Sequence, residues 1–230
     1  MENLVLVPGL LCTEDLFAAQ IEGLGQTAAI SVADHSSHDS IGAIAASILA
    51  AAPPRFALAG LSMGGYVAFE ILRQAGDRVV RLALLDTSAR PDTPEQTANR
   101  RRLVAIAQKK GIDVPAREMF PRLVAPARSD DGALQTAFLS MAADTGAEAF
   151  ARQQSAIAGR PDSRQMLTAI SCPTLVLVGS EDQLTPPDLA SEMADAIPGA
   201  TLKLIAGAGH LSTLEEPAAV TAALLAWLSQ

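Results

Sequence analysis

Six short apolar segments follow one another along the chain, and a stretch with helical spacing of its apolar residues comes after each. The segments are LVLV at 4–7, AAISVA at 28–33, FALAG at 56–60, VVRLALLD at 79–86, TLVLVG at 174–179 and TLKLIA at 201–206. Because strands that alternate with helices pair in parallel, this rhythm predicts an α/β fold with a mostly parallel, doubly wound sheet of about six strands. The nearly continuous apolar character is typical of strands covered by helices on both faces.

The rhythm stops between Ser88 and about Leu167, where Arg, Ala and Met residues occur at helical spacing with Pro and Gly interruptions. We interpret residues 88–167 as a helical lid inserted after the fourth strand. Residues 1–87 and 168–230 then form the α/β core, and the whole chain forms one structural domain. A length of 230 residues fits that organisation.

Composition and charge argue against several classes of partner and location. The formal charge of −8 at pH 7 would repel nucleic acid, and the apolar runs are far shorter than the roughly 20 residues of a membrane span. The N-terminus carries Glu2 and reaches Pro8 after four apolar residues, so we expect mature protein without a signal peptide. Two cysteines, Cys12 and Cys172, lack CxxC spacing and fit a reducing cytoplasm.

One serine lies between glycines directly after the third apolar segment. The pentapeptide Gly60-Leu61-Ser62-Met63-Gly64 has the G-x-S-x-G spacing of a tight strand-to-helix turn, in which bulky neighbours would collide. Such a turn exposes the serine hydroxyl, and the free N–H groups of the following helix face a developing oxyanion. Alternatively, the serine only caps a helix and the glycines only form a turn. The pentapeptide alone leaves both interpretations open.

An aspartate and a histidine that follow the last two apolar segments favour the first interpretation. Asp182 lies in GSEDQLTPP after the fifth segment, and His210 lies in AGAGHLSTLEEP after the sixth. Because the carboxyl ends of parallel strands lie on one edge of a sheet, Ser62, Asp182 and His210 are predicted to converge there. Ser, Asp, His is one of the chain orders in which catalytic triads occur.

Through LVLVPG, GLSMGGYVAFE, LVLVGSEDQLTP and GAGHLSTLEEP, nearly the whole chain resembles the serine-hydrolase, esterase-like type of the α/β-hydrolase-fold superfamily. The resemblance implies that Ser62 is the nucleophile, His210 the general base and acid, and Asp182 the residue that orients the imidazole. It also implies an oxyanion hole formed by the backbone N–H groups of Leu10 and Met63.

Two features depart from the commonest pattern of that superfamily. The chain has Pro8-Gly9 where relatives commonly have His-Gly before the oxyanion residue. Because the donor there is a backbone N–H, this change need not remove it. We also expect the N-terminal hairpin strands of many relatives to be absent, since the chain begins at the strand before the oxyanion loop.

The resemblance implies a hydrolase that cleaves a small carboxylic ester through an acyl-enzyme intermediate, without a metal or another cofactor. Serine at position 62 excludes the relatives that open epoxides or remove halide, because those need Asp there. Thioesterase, carbon–carbon bond hydrolase and menaquinone-pathway-like lyase activities remain open on the same triad. A non-catalytic ligand-binding protein of this fold remains open too, although an intact triad argues against it.

The insertion supplies the candidate substrate pocket. Its apolar residues at helical spacing could line an acyl site or simply form the core of the lid: Met119, Phe120, Leu123, Phe138, Leu139, Met141 and Phe150. The charge run Arg100-Arg101-Arg102 is interpreted as a solvated helix face, from which an arginine could reach an anionic substrate.

Several other polar residues receive structural interpretations. Asp86 ends the fourth segment and is the second candidate for the triad acid, but we expect it to bond to the two residues that follow it. His35 and His38 are expected to be solvated loop residues, because no fourth metal ligand is evident. Glu215 is expected to serve the first turn of the last helix.

Overall fold

The computed structural model describes residues 1–230 and places six strands in one sheet. The strands are β1 (Glu2–Val7), β2 (Ala28–Val32), β3 (Phe56–Leu61), β4 (Val79–Leu85), β5 (Thr174–Gly179) and β6 (Thr201–Ile205). Their spatial order is β2-β1-β3-β4-β5-β6, and every neighbouring pair is parallel. The parallel six-stranded sheet predicted from the alternating pattern is confirmed.

Nine α-helices connect and cover the strands. They are α1 (Ala18–Leu24), α2 (Ile41–Ala51), α3 (Met63–Ala75), α4 (Pro94–Lys110), α5 (Asp113–Leu123), α6 (Gly132–Ala158), α7 (Pro187–Ala196), α8 (Ser212–Glu215) and α9 (Pro217–Leu228). No helix combines the length and the apolar character that crossing a membrane requires.

Apolar cores lie on both faces of the sheet, because successive strand residues point to opposite sides. In β1, Leu4 and Leu6 belong to the core that includes residues of α1 and α9, whereas Val5 and Val7 belong to the core that includes residues of α2, α3 and α7. The same alternation continues along β4 and β5. Coverage of both faces explains why these strands are apolar without interruption.

Strand β6 differs from the expectation of a strand covered on both faces. Leu202 is 37% exposed and Leu204 is 50% exposed, and Lys203 lies between them. The difference follows from the position of β6 at the edge of the sheet, next to β5 alone. A charged residue on such a strand disfavours pairing with another chain.

Helices α4, α5 and α6 follow β4 and pack against one another. The rings of Phe120 and Phe138, from α5 and α6, are stacked with their centroids 6.3 Å apart. This helical layer lies between β4 and β5 in sequence. The division into a core of residues 1–87 and 168–230 and a lid of residues 88–167 stays a prediction.

Strand β5 ends where backbone segments approach each other very closely. A Cβ atom at Gly179 would collide with the backbone of Ala208 and Gly209, and one at Gly209 would collide with the backbone of Val124 and Ala125. Because only glycine fits at both positions, the loop before His210 can lie directly between β5 and the helical layer.

Replacing Gly179 by alanine should destabilise the fold. We expect Gly179→Ala to lower the free energy of unfolding by about 1–3 kcal/mol, because the added methyl group displaces packed backbone. Gly132→Ala is the control, since an added Cβ at this first residue of α6 meets nothing within 4 Å. It should change the stability by less than about 1 kcal/mol. Urea denaturation measures both, and equal losses would contradict the steric account.

Candidate active site

Ser62 forms the turn between β3 and α3 in a strained backbone conformation. Its φ is 55° and its ψ is −111°, a combination that a residue with a side chain rarely adopts. The Ser62 N–H donates to the Leu85 carbonyl at 2.9 Å, and the Ser62 carbonyl accepts from Thr87 Oγ1 at 2.8 Å. These bonds to β4 and its following loop hold the strained residue in place.

Three glycines allow the chain to make this turn. A Cβ atom at Gly60 would collide with the backbone of Gly64, and one at Gly64 would collide with the carbonyl of Val7. A Cβ atom at Gly65 would collide with the side chain of Thr87. The two glycines of the G-x-S-x-G pattern are therefore steric requirements of the turn, and the glycine that follows the pattern is a third.

His210 and Asp182 continue a chain of hydrogen bonds from Ser62. His210 Nε2 lies 2.8 Å from Ser62 Oγ, and His210 Nδ1 lies 2.7 Å from Asp182 Oδ2. Asp182 Oδ1 accepts from the N–H groups of Leu184 and Thr185 at 2.8 and 3.0 Å, and Asp182 Oδ2 accepts from Thr185 Oγ1 at 2.8 Å. The structure thus brings together the three residues that sequence order indicated.

The charges of Asp182 and His210 support each other. Burial alone would raise the pKa of Asp182, but the His210 imidazole and the accepted hydrogen bonds hold that pKa below its ordinary value. Burial alone would lower the pKa of His210, but the Asp182 carboxylate raises it above the ordinary value. Because Nδ1 donates to the carboxylate, Nε2 of the neutral ring is free to accept the hydroxyl proton of Ser62.

The backbone N–H groups of Leu10 and Met63 are the predicted oxyanion-hole donors. Met63 is the first residue of α3, so its N–H has no acceptor within the helix. The Leu10 N–H donates to no group of the protein, and Leu10 lines the same cavity as Ser62. Both donors are thus unused by the protein, as an oxyanion hole requires, and that role stays a prediction.

Two buried polar side chains hold the loop after β1. His35 Nε2 lies 2.9 Å from the Gly9 carbonyl, and Gln153 Oε1 of α6 accepts from the Leu11 N–H at 3.2 Å. Burial lowers the pKa of His35, which favours the neutral ring, and because a carbonyl only accepts, Nε2 donates to Gly9. The prediction that His35 is solvated is wrong, because the ring packs against this loop, whereas His38 is exposed.

Asp86 lies in the same buried region with partners that the sequence did not indicate. Asp86 Oδ1 accepts from the Gly179 N–H at 2.8 Å, and Asp86 Oδ2 shares a hydrogen bond with the Ser212 hydroxyl. The predicted bonds to the two following residues are wrong, because the side chain points across the sheet edge to β5 and α8. Burial and the nearby Asp182 carboxylate raise the pKa of Asp86 to about 8, so it is mostly neutral at pH 7.

Glu215 connects the His210 loop with the helical layer. Its carboxylate accepts from the N–H groups of Ala125 and Gly209 at 2.8 and 2.9 Å. Arg128 donates to the Glu215 carbonyl at 2.7 Å. The expected role at the first turn of α9 is wrong, because the side chain satisfies two buried N–H groups of neighbouring loops instead.

A cavity of about 470 Å³ includes Ser62 and His210 in its wall. Among the seven apolar candidates from the insertion, Met119, Leu123 and Phe138 line the cavity. The other four lie outside the cavity wall and pack into or against the apolar core that also contains Leu123 and Phe138: Phe120, Leu139, Met141 and Phe150.

The arginine run of α4 is not uniformly solvated. The Arg100 side chain is 20% exposed, bonds to Asp92 and Gln154, and lines the cavity. Arg102 also lines the cavity and forms an ion pair with Glu118. Only Arg101 is an exposed residue without a polar partner. The expectation of a solvated face is therefore wrong for Arg100, because Arg100 turns toward the cavity.

Comparison with known proteins shows what this chain is similar to. Residues 4–224 match the sequence profile of the alpha/beta hydrolase family. A Mycobacterium tuberculosis relative with the provisional name non-heme bromoperoxidase BpoC is 31% identical over 181 residues, which are 76% of this chain and 67% of that protein.

Solved structures share the fold over the whole chain. A thermophilic esterase from Thermogutta terrifontis is 34% identical, with a TM-score of 0.91 over 100% of this chain and 90% of that chain. The enol-lactonase from Burkholderia xenovorans LB400 is 24% identical, with a TM-score of 0.89 over 100% of this chain and 92% of that chain. The chain therefore belongs to the alpha/beta hydrolase family.

Proposed function

We propose that the protein is a serine hydrolase that cleaves a small carboxylic ester through an acyl-enzyme intermediate. The observation that carries this proposal is the unbroken hydrogen-bonded chain from Ser62 through His210 to Asp182 at the wall of a cavity. A cavity of about 470 Å³ has the size of small-molecule sites. The 34% identity to an esterase supports the ester as the bond that is cleaved.

In the acylation step, Ser62 Oγ attacks the carbonyl carbon of the ester while His210 Nε2 takes the hydroxyl proton. The electron pair of the carbonyl π bond moves to its oxygen, and the N–H groups of Leu10 and Met63 donate to that oxyanion. Asp182 stabilises the imidazolium. The tetrahedral intermediate then expels the alcohol, which takes the proton from Nε2 and leaves Ser62 acylated.

In the deacylation step, a water molecule attacks the acyl carbon while His210 Nε2 takes one of its protons. The second tetrahedral intermediate collapses and breaks the bond to Ser62 Oγ. The proton on Nε2 returns to Oγ, so the carboxylic acid leaves and the enzyme is restored. The two steps consume one water for each ester and need no other reactant.

The intact chain of three residues supports a catalyst rather than a protein that only binds a ligand. A site that only binds a ligand does not require a strained serine, an imidazole of raised pKa and a buried carboxylate connected by hydrogen bonds. The same residues suit thioesters and carbon–carbon bonds, and the esterase relative is the observation that favours an ester.

Removal of the nucleophile or the base tests the proposal directly. We expect Ser62→Ala and His210→Ala each to lower kcat for 4-nitrophenyl acetate by roughly 10³-fold or more, with the fold intact. The double variant should be no slower than the slower single one, because the two groups act as one unit. A further loss of about thousandfold in the double variant would refute this shared role.

Asp182 and Asp86 provide a matched pair of variants. Asp182→Asn should lower kcat by about 10⁴-fold, because the amide favours the wrong tautomer of His210. Asp86→Asn should stay within about tenfold of the wild type, or roughly 1.4 kcal/mol of barrier, because asparagine resembles the neutral acid. Steady-state kinetics at pH 7 measures both values. The reverse pattern would assign the catalytic acid to Asp86.

A further inference from the structure

The part of the cavity wall that residues 88–167 form is rich in positive charge, although the chain as a whole has a formal charge of −8. Arginines are the cationic side chains of the lining: Arg90, Arg100, Arg102, Arg122 and Arg160. Three carboxylates neutralise part of this charge: Glu118, Glu192 and Asp92. Five guanidinium groups against three carboxylates leave an excess of positive charge around the cavity.

Two of these arginines share a single buried carboxylate. Arg100 donates to both oxygens of Asp92, and Arg160 donates to Asp92 Oδ1. The Asp92 side chain is buried, and so is the side chain of Arg160. Both arginines are paired with Asp92, and this network of two cations and one anion therefore carries a single net positive charge.

Gln154 adds an unused hydrogen-bond donor to the same network. Its Oε1 accepts from Arg100 Nη1 at 2.8 Å, and because a guanidinium only donates, this contact fixes which end of the amide is the oxygen. The other end, Nε2, is buried and has no partner, although Gln154 is only 2% exposed and lines the cavity. Buried donors are nearly always satisfied in proteins, and an acceptor on a ligand in the cavity would satisfy this amide.

Arg160 supplies a second free donor. Its Nε donates to the Arg90 carbonyl and its Nη1 to Asp92 and the Ile157 carbonyl, but its Nη2 makes no hydrogen bond within the protein. Arg160 is only 8% exposed and lines the cavity. The buried guanidinium is thus fixed by its neighbours while one nitrogen stays available.

The position of Arg160 relates this network to the proposed nucleophile. The guanidinium carbon lies 4.2 Å from the centroid of the Tyr66 ring. Tyr66 lies four residues after Ser62 on α3, about one helical turn or 6 Å along the axis. Both residues line the same cavity, so one small molecule can reach Ser62 and the network together.

We propose that Gln154 and Arg160 form a carboxylate-binding subsite, so that the substrate is an ester with a carboxylate several bonds away from the bond that is cleaved. This inference rests on the proposed ester hydrolysis. Two free donors match the two oxygens of a carboxylate, and the single net positive charge of the network matches its single negative charge. A phosphate dianion would leave one negative charge uncompensated in this buried network.

Matched ester pairs test the subsite. In the first pair the carboxylate is on the acyl side: the mono-4-nitrophenyl ester of glutaric acid against that of glutaramic acid, its neutral amide analogue. In the second pair the carboxylate is on the alcohol side: O-acetyl-4-hydroxybutyrate against O-acetyl-4-hydroxybutyramide. We expect kcat/KM to favour the anionic ester by at least about tenfold in one of the pairs. A ratio near one in both pairs would overturn the subsite.

Gln154→Glu is the most informative variant, because it keeps the oxygen that accepts from Arg100 and replaces only the free donor by an acceptor. It should reduce the preference for the anionic ester by at least about tenfold. Gln108→Glu is the control, since Gln108 is an exposed residue of α4 outside the cavity wall and should keep the wild-type preference. An unchanged preference in Gln154→Glu would overturn the proposal.

Arg160→Gln tests the other member of the proposed subsite. Arg101→Gln is its control, because Arg101 is an exposed residue of α4 outside the cavity wall. The preference should fall in the first variant and persist in the second. Because the preference compares two substrates on one preparation, it does not depend on the fraction of folded enzyme. Persistence of the preference in both variants would exclude Arg160 from the subsite.

Calorimetric binding of glutarate separates the subsite from the hydrolytic reaction. The wild type should bind glutarate, Gln154→Glu should bind it at least about tenfold more weakly, and inorganic phosphate should bind more weakly than glutarate. If no ester is hydrolysed while glutarate binds in this pattern, the proposed function fails and the subsite stands. If neutral esters are hydrolysed but glutarate does not bind, or phosphate binds as tightly, the subsite fails alone.

Discussion

The hydrogen bonds from Ser62 through His210 to Asp182 form only because certain backbone segments approach each other too closely for a Cβ atom to fit between them. The turn after β3 touches the end of β1 at Gly64, and the loop before His210 lies between β5 and the helical layer at Gly179 and Gly209. Parallel strands bring these loops to one edge of the sheet, and the missing Cβ atoms allow the final contact. The strain at Ser62, on the order of 1–3 kcal/mol, is offset by this surrounding structure.

Three buried acidic residues lie at the same edge of the sheet, and only Asp182 bonds to the His210 imidazole. Asp182 accepts hydrogen bonds from two backbone N–H groups and from His210 Nδ1, and these interactions keep the carboxylate ionised. Burial, together with the nearby Asp182 charge, raises the pKa of Asp86 to about 8, so Asp86 is mostly neutral near pH 7. Glu215 is occupied by the N–H groups of two loops. Two adjacent ionised carboxylates would repel each other, and this arrangement avoids that repulsion.

The sheet and the three central residues could be predicted because their signals are local. Apolar runs define the strands, and the end of each strand locates Ser62, Asp182 and His210. Contacts between distant segments carry no such signal: Gln153 supports a loop 142 residues earlier, and Asp86 bonds to residues 93 and 126 positions away. Helical spacing could not distinguish cavity residues from residues of the apolar core either, because that distinction depends on how α5 and α6 pack together.

A serine that is activated by the hydrogen bonds to His210 and Asp182 should react with a fluorophosphonate, so labelling of the folded protein tests whether Ser62 is activated. Tryptic digestion and mass spectrometry should locate one adduct per chain on Ser62. The labelling rate should fall by at least about 10³-fold in His210→Ala, because the base is then missing. Absence of the adduct in the folded protein, or the same labelling rate in His210→Ala, would contradict the account.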